Sequence, residues 1–436
     1  MFPTILTTRS LFPARTGSFQ LRQRPVMLPI PALSFTLPSL CDDTRLDCRI
    51  YHPECLTDPS MLDTEIRSWR KQAAVVAHPY APLGGCYDDA VVDVVAGALL
   101  QVGYVVATFN FRGAQSSAGR TSWSSKPEQA DYMSVVGFLA YYVHYLDAPS
   151  TVVRRPAVPP APVLLQAGYS YGATVTTKLP PLDVILSQFA SPAIQTAAAD
   201  IRLRAQHLAE QQNALAATPL SPRRSLGMRV GGQEDAAPAS PSRRRSHSYA
   251  HEEGIRKGVK ELLARTRLIH IHRKHHRKLS QEEDGAEQVE QCMQRTEAFT
   301  AFRSAYLIVS PPFGILTSLA TMTFSNSYSS SPKRPHRSRN RPPEAQDDGN
   351  ADAGGAIAAD DKKLVANPTL AVYGDQDAFL ALKKMREWTA YIGNIRGSEF
   401  RYIEVSGAGH FWVEDRVMIR LRDAVGAFGF GLLRNQ

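Results

Sequence analysis

Three features of this chain predict an α/β fold with a mainly parallel central sheet and helices on both faces. Runs of β-branched residues alternate with segments of helical apolar spacing, the pattern of strands joined by crossover helices. Two long low-complexity stretches interrupt that alternation and contribute little to a core. Setting them and the amino-terminal tail aside leaves roughly 260 residues, the size of one α/β domain. The chain therefore reads as a tail over 1–32 and a single domain over 33–436, with insertions at about 190–300 and 325–362.

The elements follow in order. SFTLPSL and LDCRIYHP flank the polar turn Asp42-Asp43-Thr44 and read as an opening antiparallel hairpin. AAVVAHP (73–79) is a strand running into a Pro and Gly loop. DDAVVDVVAGALLQVG (88–103) has helical spacing and a terminal Gly, and YVVATFNF (104–111) is the next strand. Helical periodicity returns over 127–146, with Pro near its start and acids in its first turn. PVLLQAG (162–168) and SAYLIVSPP (304–312) are strands on either side of the first insertion, which is expected to hold no more than one or two surface helices. The Ser, Pro, Arg, Asp and Gly bias of 325–361 is that of a disordered loop. PTLAVYGDQD (368–377) and FRYIEVSGAGH (400–410) are the last strands, with a helix around Leu380–Tyr391 between them and a closing helix over about 413–427.

Charge is informative through its distribution. The 436 residues carry a formal +9. Residues 1–40 hold four Arg and no acid, 201–300 hold 18 basic and 12 acidic residues, and 331–342 hold five basic residues and no acid. The remaining body is therefore mildly acidic, which removes the charge argument for a polyanion substrate, and no nucleic acid partner is expected. The basic insertions are solvated segments suited to an acidic partner or membrane surface. Five cysteines, an odd number without a C-x-x-C pair, argue against a disulfide framework or a zinc ribbon and for a reducing compartment. An intracellular, cytoplasmic location is expected; the Arg-bearing tail and the Arg243–Arg245 run leave mitochondrial and nuclear addresses as alternatives. The longest uncharged run, Ala305 to Phe324, is broken by Ser310-Pro311-Pro312 and reads as a buried strand plus loop, with no transmembrane segment.

Gly168-Tyr169-Ser170-Tyr171-Gly172 lies where a strand meets a helix start. A serine there occupies a tight turn that lifts its hydroxyl above the sheet, and flanking side chains larger than hydrogen would strike the neighbouring strand and helix. Such a hydroxyl needs a base, and an imidazole needs a carboxylate to orient it and stabilise its protonated form. His410, at the end of VSGAGH, supplies the base, and Asp377, past the end of PTLAVYG, the acid; Asp375 is the alternative acid. The oxyanion of a tetrahedral intermediate needs two N–H donors. Tyr171, after the serine, is one. In the loop His78-Pro79-Tyr80 proline has no N–H, so Tyr80 is the other, with His78 buttressing the loop or touching substrate.

The strings AHPYAPLGG, FNFRGAQSSAG, AGYSYGA, LIVSPPFG, YGDQD and GAGHFW, in this order, resemble the α/β-hydrolase superfamily, in particular the bacterial and fungal group related to dienelactone hydrolases and small esterases. The resemblance covers roughly 33–185, 303–324 and 366–430 and implies an α/β-hydrolase fold with the same serine, acid, histidine and oxyanion residues. It gives a reaction class rather than a substrate.

Arg112, in FNFRG, can bind a substrate carboxylate or phosphate, or form a structural ion pair. His270, His272, His275 and His276 lie among Arg and Lys and lack Cys or Asp partners, so no metal site is expected. Cys86 reads as a small apolar filler. The expected activity is hydrolysis of a small-molecule acyl ester or thioester through an acyl-enzyme, without cofactor or metal. Acyl transfer by the same residues, and a non-catalytic interaction protein on a hydrolase scaffold, are the alternatives.

Overall fold

The computed structural model describes residues 28–57, 69–147, 161–217, 257, 258, 261, 292–312 and 358–434. Eight strands form one sheet: β1 (Leu33–Pro38), β2 (Arg45–Tyr51), β3 (Ala73–Ala77), β4 (Val105–Phe109), β5 (Val163–Tyr169), β6 (Arg303–Val309), β7 (Thr369–Gly374) and β8 (Phe400–Val405). Their order is β1-β2-β4-β3-β5-β6-β7-β8. β2 pairs antiparallel with β1 and β4, and every other pairing is parallel. This is the α/β-hydrolase arrangement expected from the sequence.

Helices cover both faces, because strands β3, β4, β5 and β7 are buried along their whole length and present apolar side chains to each side. On one face lie α2 (Ala90–Val102) and α9 (Val417–Arg434), with Val95, Leu99, Leu421 and Val425 packed against Val76, Leu165 and Val372. The other carries α3 (Lys126–Tyr145), α4 (Tyr171–Lys178), α5 (Leu182–Ala190) and α6 (Ala197–Ala217), and then α7 (Ala359–Ala366) and α8 (Leu382–Gly393). A single turn, α1 (Glu54–Thr57), follows β2. In α2, Asp89 caps the amino end by accepting from the Val91 N–H, and Gly103 at φ 104° closes the carboxyl end.

Three expectations change. The first insertion begins with a helix that builds core: α6 lies along α3 and buries Ile201, Leu203, Ala205, Leu208 and Ala209. Its core face escaped notice because it is rich in alanine, which allows close approach with little hydrophobic signal, and because two of its arginines are buried. Arg202 donates to the carbonyls of Ala190 (3.0 Å) and Gln294 (2.6 Å), and Arg204 to that of Thr36 (3.1 Å) and to Asp200. Ala193 and Cys292 form an antiparallel bridge, which ties the segment before α6 to the segment before β6. Second, α7 begins inside the stretch read as a loop to 361 or 362. Lys363 is its anchor, buried and donating to the carbonyls of Thr176 and Leu179 at the end of α4. Third, the closing helix starts later and runs to Arg434.

The tail up to residue 27, the Arg243–Arg245 run, the histidine cluster at 270–276 and most of the second insertion lie outside the described residues. Among the described residues no helix is long and apolar enough to cross a membrane.

Candidate active site

Parallel pairing places the carboxyl ends of β3, β5, β7 and β8 at one edge of the sheet, and the loops leaving them carry the predicted residues. Ser170 follows β5 directly, at φ 52° and ψ −118°, a conformation that costs a non-glycine residue on the order of 1–3 kcal/mol. The surroundings hold it there. The Ser170 N–H donates to the Val309 carbonyl at 2.9 Å, continuing the ladder with β6, and its own carbonyl accepts from Thr174 in the first turn of α4. The two glycines permit the turn. A Cβ on Gly168 would lie 2.3 Å from the Gly172 carbonyl carbon, and one on Gly172 would lie 2.6 Å from the Ala77 carbonyl oxygen. Helix α4 is short because Pro180 and Pro181 follow it.

Ser170, His410 and Asp377 are brought together. Ser170 Oγ is 2.9 Å from His410 Nε2, and His410 Nδ1 is 2.9 and 2.8 Å from the two oxygens of Asp377. A carboxylate only accepts, so Nδ1 carries the ring proton and Nε2 is left as acceptor for the serine hydroxyl. All three residues are buried. Asp377 also accepts from the Phe379 N–H at 2.9 Å, which fixes the carboxylate from its other side. Asp375, the alternative acid, instead accepts from the Gly407 N–H at 2.7 Å and braces the histidine loop from outside.

Tyr80 lies on the loop after β3 and Tyr171 directly follows the serine, and their rings meet edge to face at 5.2 Å. Tyr171 is the first residue of α4, where backbone N–H groups have no intrahelical acceptor.

His78 is fully buried with both ring nitrogens engaged. Nε2 accepts from the Phe111 N–H at 2.9 Å and Nδ1 donates to the Pro79 carbonyl at 2.6 Å. It links the loops after β3 and β4, and the suggested contact with substrate is corrected to this buttress. Burial lowers its pKa to about 4. Because the folded pKa lies below the unfolded one, near 6.5, the unfolded chain takes up the proton first as pH falls. Stability is therefore expected to drop by about 1.4 kcal/mol per pH unit between pH 6.5 and 4 on account of this residue. Denaturant titrations of wild type and His78→Gln across that range should show a shallower slope in the variant.

Arg112 is likewise withdrawn from substrate. Its guanidinium bridges Asp131 (Nε 3.0 Å, Nη2 2.7 Å), Asp42 (Nη1 2.9 Å, Nη2 3.2 Å) and the Ser39 hydroxyl (3.1 Å), so the structural ion pair replaces the substrate contact. Asp131 is fully buried, and Arg112→Met would leave its carboxylate without a counter-charge. The expected cost is about 3–5 kcal/mol in chemical unfolding. The reactivity of Ser170 in the folded variant should be unchanged, the outcome a substrate-binding arginine would not give.

Neighbours of the histidine escaped the sequence reading. Phe379 and Phe411 lie 4.6 and 5.4 Å from the His410 ring, centre to centre, and Trp412 donates from its indole N–H to Ser310 at 3.1 Å. Their adjacency to Asp377 and His410 in the strings DAF and GHFW was the available signal. Cys86 is buried, with its sulfur 2.9 Å from the Gln115 amide nitrogen. A cavity of about 780 Å³ opens at the opposite end of β6 and β7, between Leu182, Phe299, Arg303 and Pro368. It contains none of these groups.

No protein-family model matches the chain, and the curated proteins give no significant match. Solved structures do align with it. An α/β serine hydrolase homologue from Coxiella burnetii shares 13% identity over 92% of this chain and 98% of its own, with a TM-score of 0.40. A serine hydrolase without a lid from Xanthomonas campestris shares 16% over 93% and 96%, also at 0.40. The Est1E protein of Butyrivibrio proteoclasticus shares 10% over 92% and 99%, at 0.38. The fold assignment rests on the strand order itself.

Proposed function

We propose that this protein is a serine hydrolase that cleaves a small-molecule acyl ester or thioester through an acyl-enzyme. One observation carries the reading: Ser170, held at a positive-φ turn above the sheet, is joined through His410 to Asp377 by hydrogen bonds of 2.8–2.9 Å.

In this reading His410 Nε2 accepts the hydroxyl proton as Ser170 Oγ attacks the carbonyl carbon, and Asp377 stabilises the imidazolium. The backbone N–H groups of Tyr80 and Tyr171 hold the oxyanion. As the intermediate collapses, the imidazolium returns the proton to the departing alcohol or thiol. Water, deprotonated by the same nitrogen, then attacks the acyl-enzyme, and Ser170 leaves with the proton. None of these steps calls on a metal or organic cofactor.

The surroundings support an acyl substrate with apolar bulk. Phe379 and Phe411 stand against His410. The test is turnover of a p-nitrophenyl ester series and matching acyl thioesters, with product analysis in added alcohol. Free acid as the main product supports hydrolysis. Ester formed with the added alcohol in preference would make the protein an acyltransferase. A folded protein that turns over nothing and resists fluorophosphonates would be an interaction protein on this scaffold.

A further inference from the structure

Tyr169 occupies the first variable position of G-x-S-x-G, where the motif itself demands nothing. Its side chain leaves β5 on the face covered by α2 and α9, and it is 1% exposed. The phenol has one hydrogen-bond partner of consequence: it donates to the backbone carbonyl of His410 at 2.8 Å, across 241 residues of sequence. Burial pushes the phenol pKa above its ordinary value, and the nearby Asp89 and Asp377 carboxylates act in the same direction, so the donor keeps its proton.

Two consecutive residues thus grip one histidine. Ser170 meets the imidazole, and Tyr169 meets the main chain that carries it. The rest of the loop is fixed at other points, by the Gly407 N–H on Asp375, the Gln376 N–H on the Ala408 carbonyl, and the Trp412 indole on Ser310. None of these reaches residue 410 itself. Asp377 and Phe379 orient the ring about its own axis and face, but the height of the ring above the serine follows the backbone at 410.

We infer that Tyr169 is a positioning residue, whose hydroxyl sets His410 Nε2 at hydrogen-bond distance from Ser170 by holding the His410 carbonyl. The inference rests on the proposed catalytic role of Ser170 and His410. Proton transfer is steep in distance and alignment, so freeing that carbonyl slows the chemical step more than it weakens substrate binding.

Tyr169→Phe removes only the hydroxyl. A matched control exists in Tyr104, fully buried, whose phenol also donates to a main-chain carbonyl, that of Gly429, at 2.9 Å on the side of β4 away from the catalytic loops. Hydrolysis of p-nitrophenyl acetate and the rate of fluorophosphonate inactivation would be measured for wild type, Tyr169→Phe and Tyr104→Phe, with thermal melting of each. The expected result is a kcat and an inactivation rate about tenfold lower in Tyr169→Phe, KM within about twofold of wild type, and a Tyr104→Phe that melts earlier by a similar margin yet keeps wild-type kinetics. Wild-type kinetics in Tyr169→Phe, or an equal loss in both variants, would overturn the positioning role while leaving the hydrolase reading intact. A folded wild type that neither turns over the ester nor takes the probe would overturn the hydrolase reading, and the positioning role with it.

Discussion

Ser170→Ala should take no fluorophosphonate label, and His410→Ala should label and turn over ester slower than wild type by a factor on the order of 10⁴–10⁶. A serine hydroxyl is a weak nucleophile unless its proton has somewhere to go, and His410 Nε2 at 2.9 Å is the acceptor beside it. Peptide mapping of the labelled wild type should place the adduct on Ser170. A third variant separates chemistry from folding. Ser170 sits at φ 52°, ψ −118°, which glycine adopts freely, so Ser170→Gly should be as inactive as Ser170→Ala but more stable by about 1 kcal/mol in chemical unfolding. Stability that rises as reactivity vanishes identifies the turn as strain kept for the nucleophile. A wild type that folds and takes no label, or a label that survives Ser170→Ala, would remove the nucleophile from the proposal.

The second large effect concerns the carboxylates. Asp377→Asn preserves shape but offers an N–H where His410 Nδ1 needs an acceptor. The ring is then driven to the tautomer with its proton on Nε2, facing Ser170, and can no longer take the hydroxyl proton. The expected loss in kcat is about 10⁴-fold. Asp375→Asn can still accept from the Gly407 N–H, so its kcat should stay within about threefold of wild type. Parallel kinetics of the two variants decide which aspartate is the acid, and the reverse ranking would reassign the role.

Much of the frame was legible in the chain. The runs AAVVA, VVATF and TLAVYG are strands because buried parallel strands are apolar on both faces, and that property is written in consecutive residues. The turn at Ser170 was legible because Gly168 and Gly172 stand four apart around it: a Cβ on Gly168 would strike Gly172 itself, although the clash at Gly172 is with the distant end of β3, at Ala77 and His78. Helix α6 was not, because alanine signals little hydrophobicity and its buried arginines are satisfied by carbonyls of distant segments. Arg112 and His78 were ambiguous for the same cause. Whether a guanidinium or an imidazole is free for a ligand depends on what faces it, and Asp131, Asp42, Phe111 and Pro79 face these two.

By itself, then, the sequence determined the α/β alternation, the strand-to-helix turn that presents Ser170, and which residue types were available to serve it. Those are matters of hydrophobic period and spacing within a few residues. Tertiary structure alone decided which of these groups meet. The imidazole and the serine are 240 positions apart and the imidazole and the carboxylate 33, and they converge because the parallel order β3-β5-β6-β7-β8 brings the ends of separate strands to one edge. The hydroxyl of Tyr169 has its partner for the same reason, since a hydrogen bond depends on distance and direction in space, and neither is recorded in the order of residues along the chain.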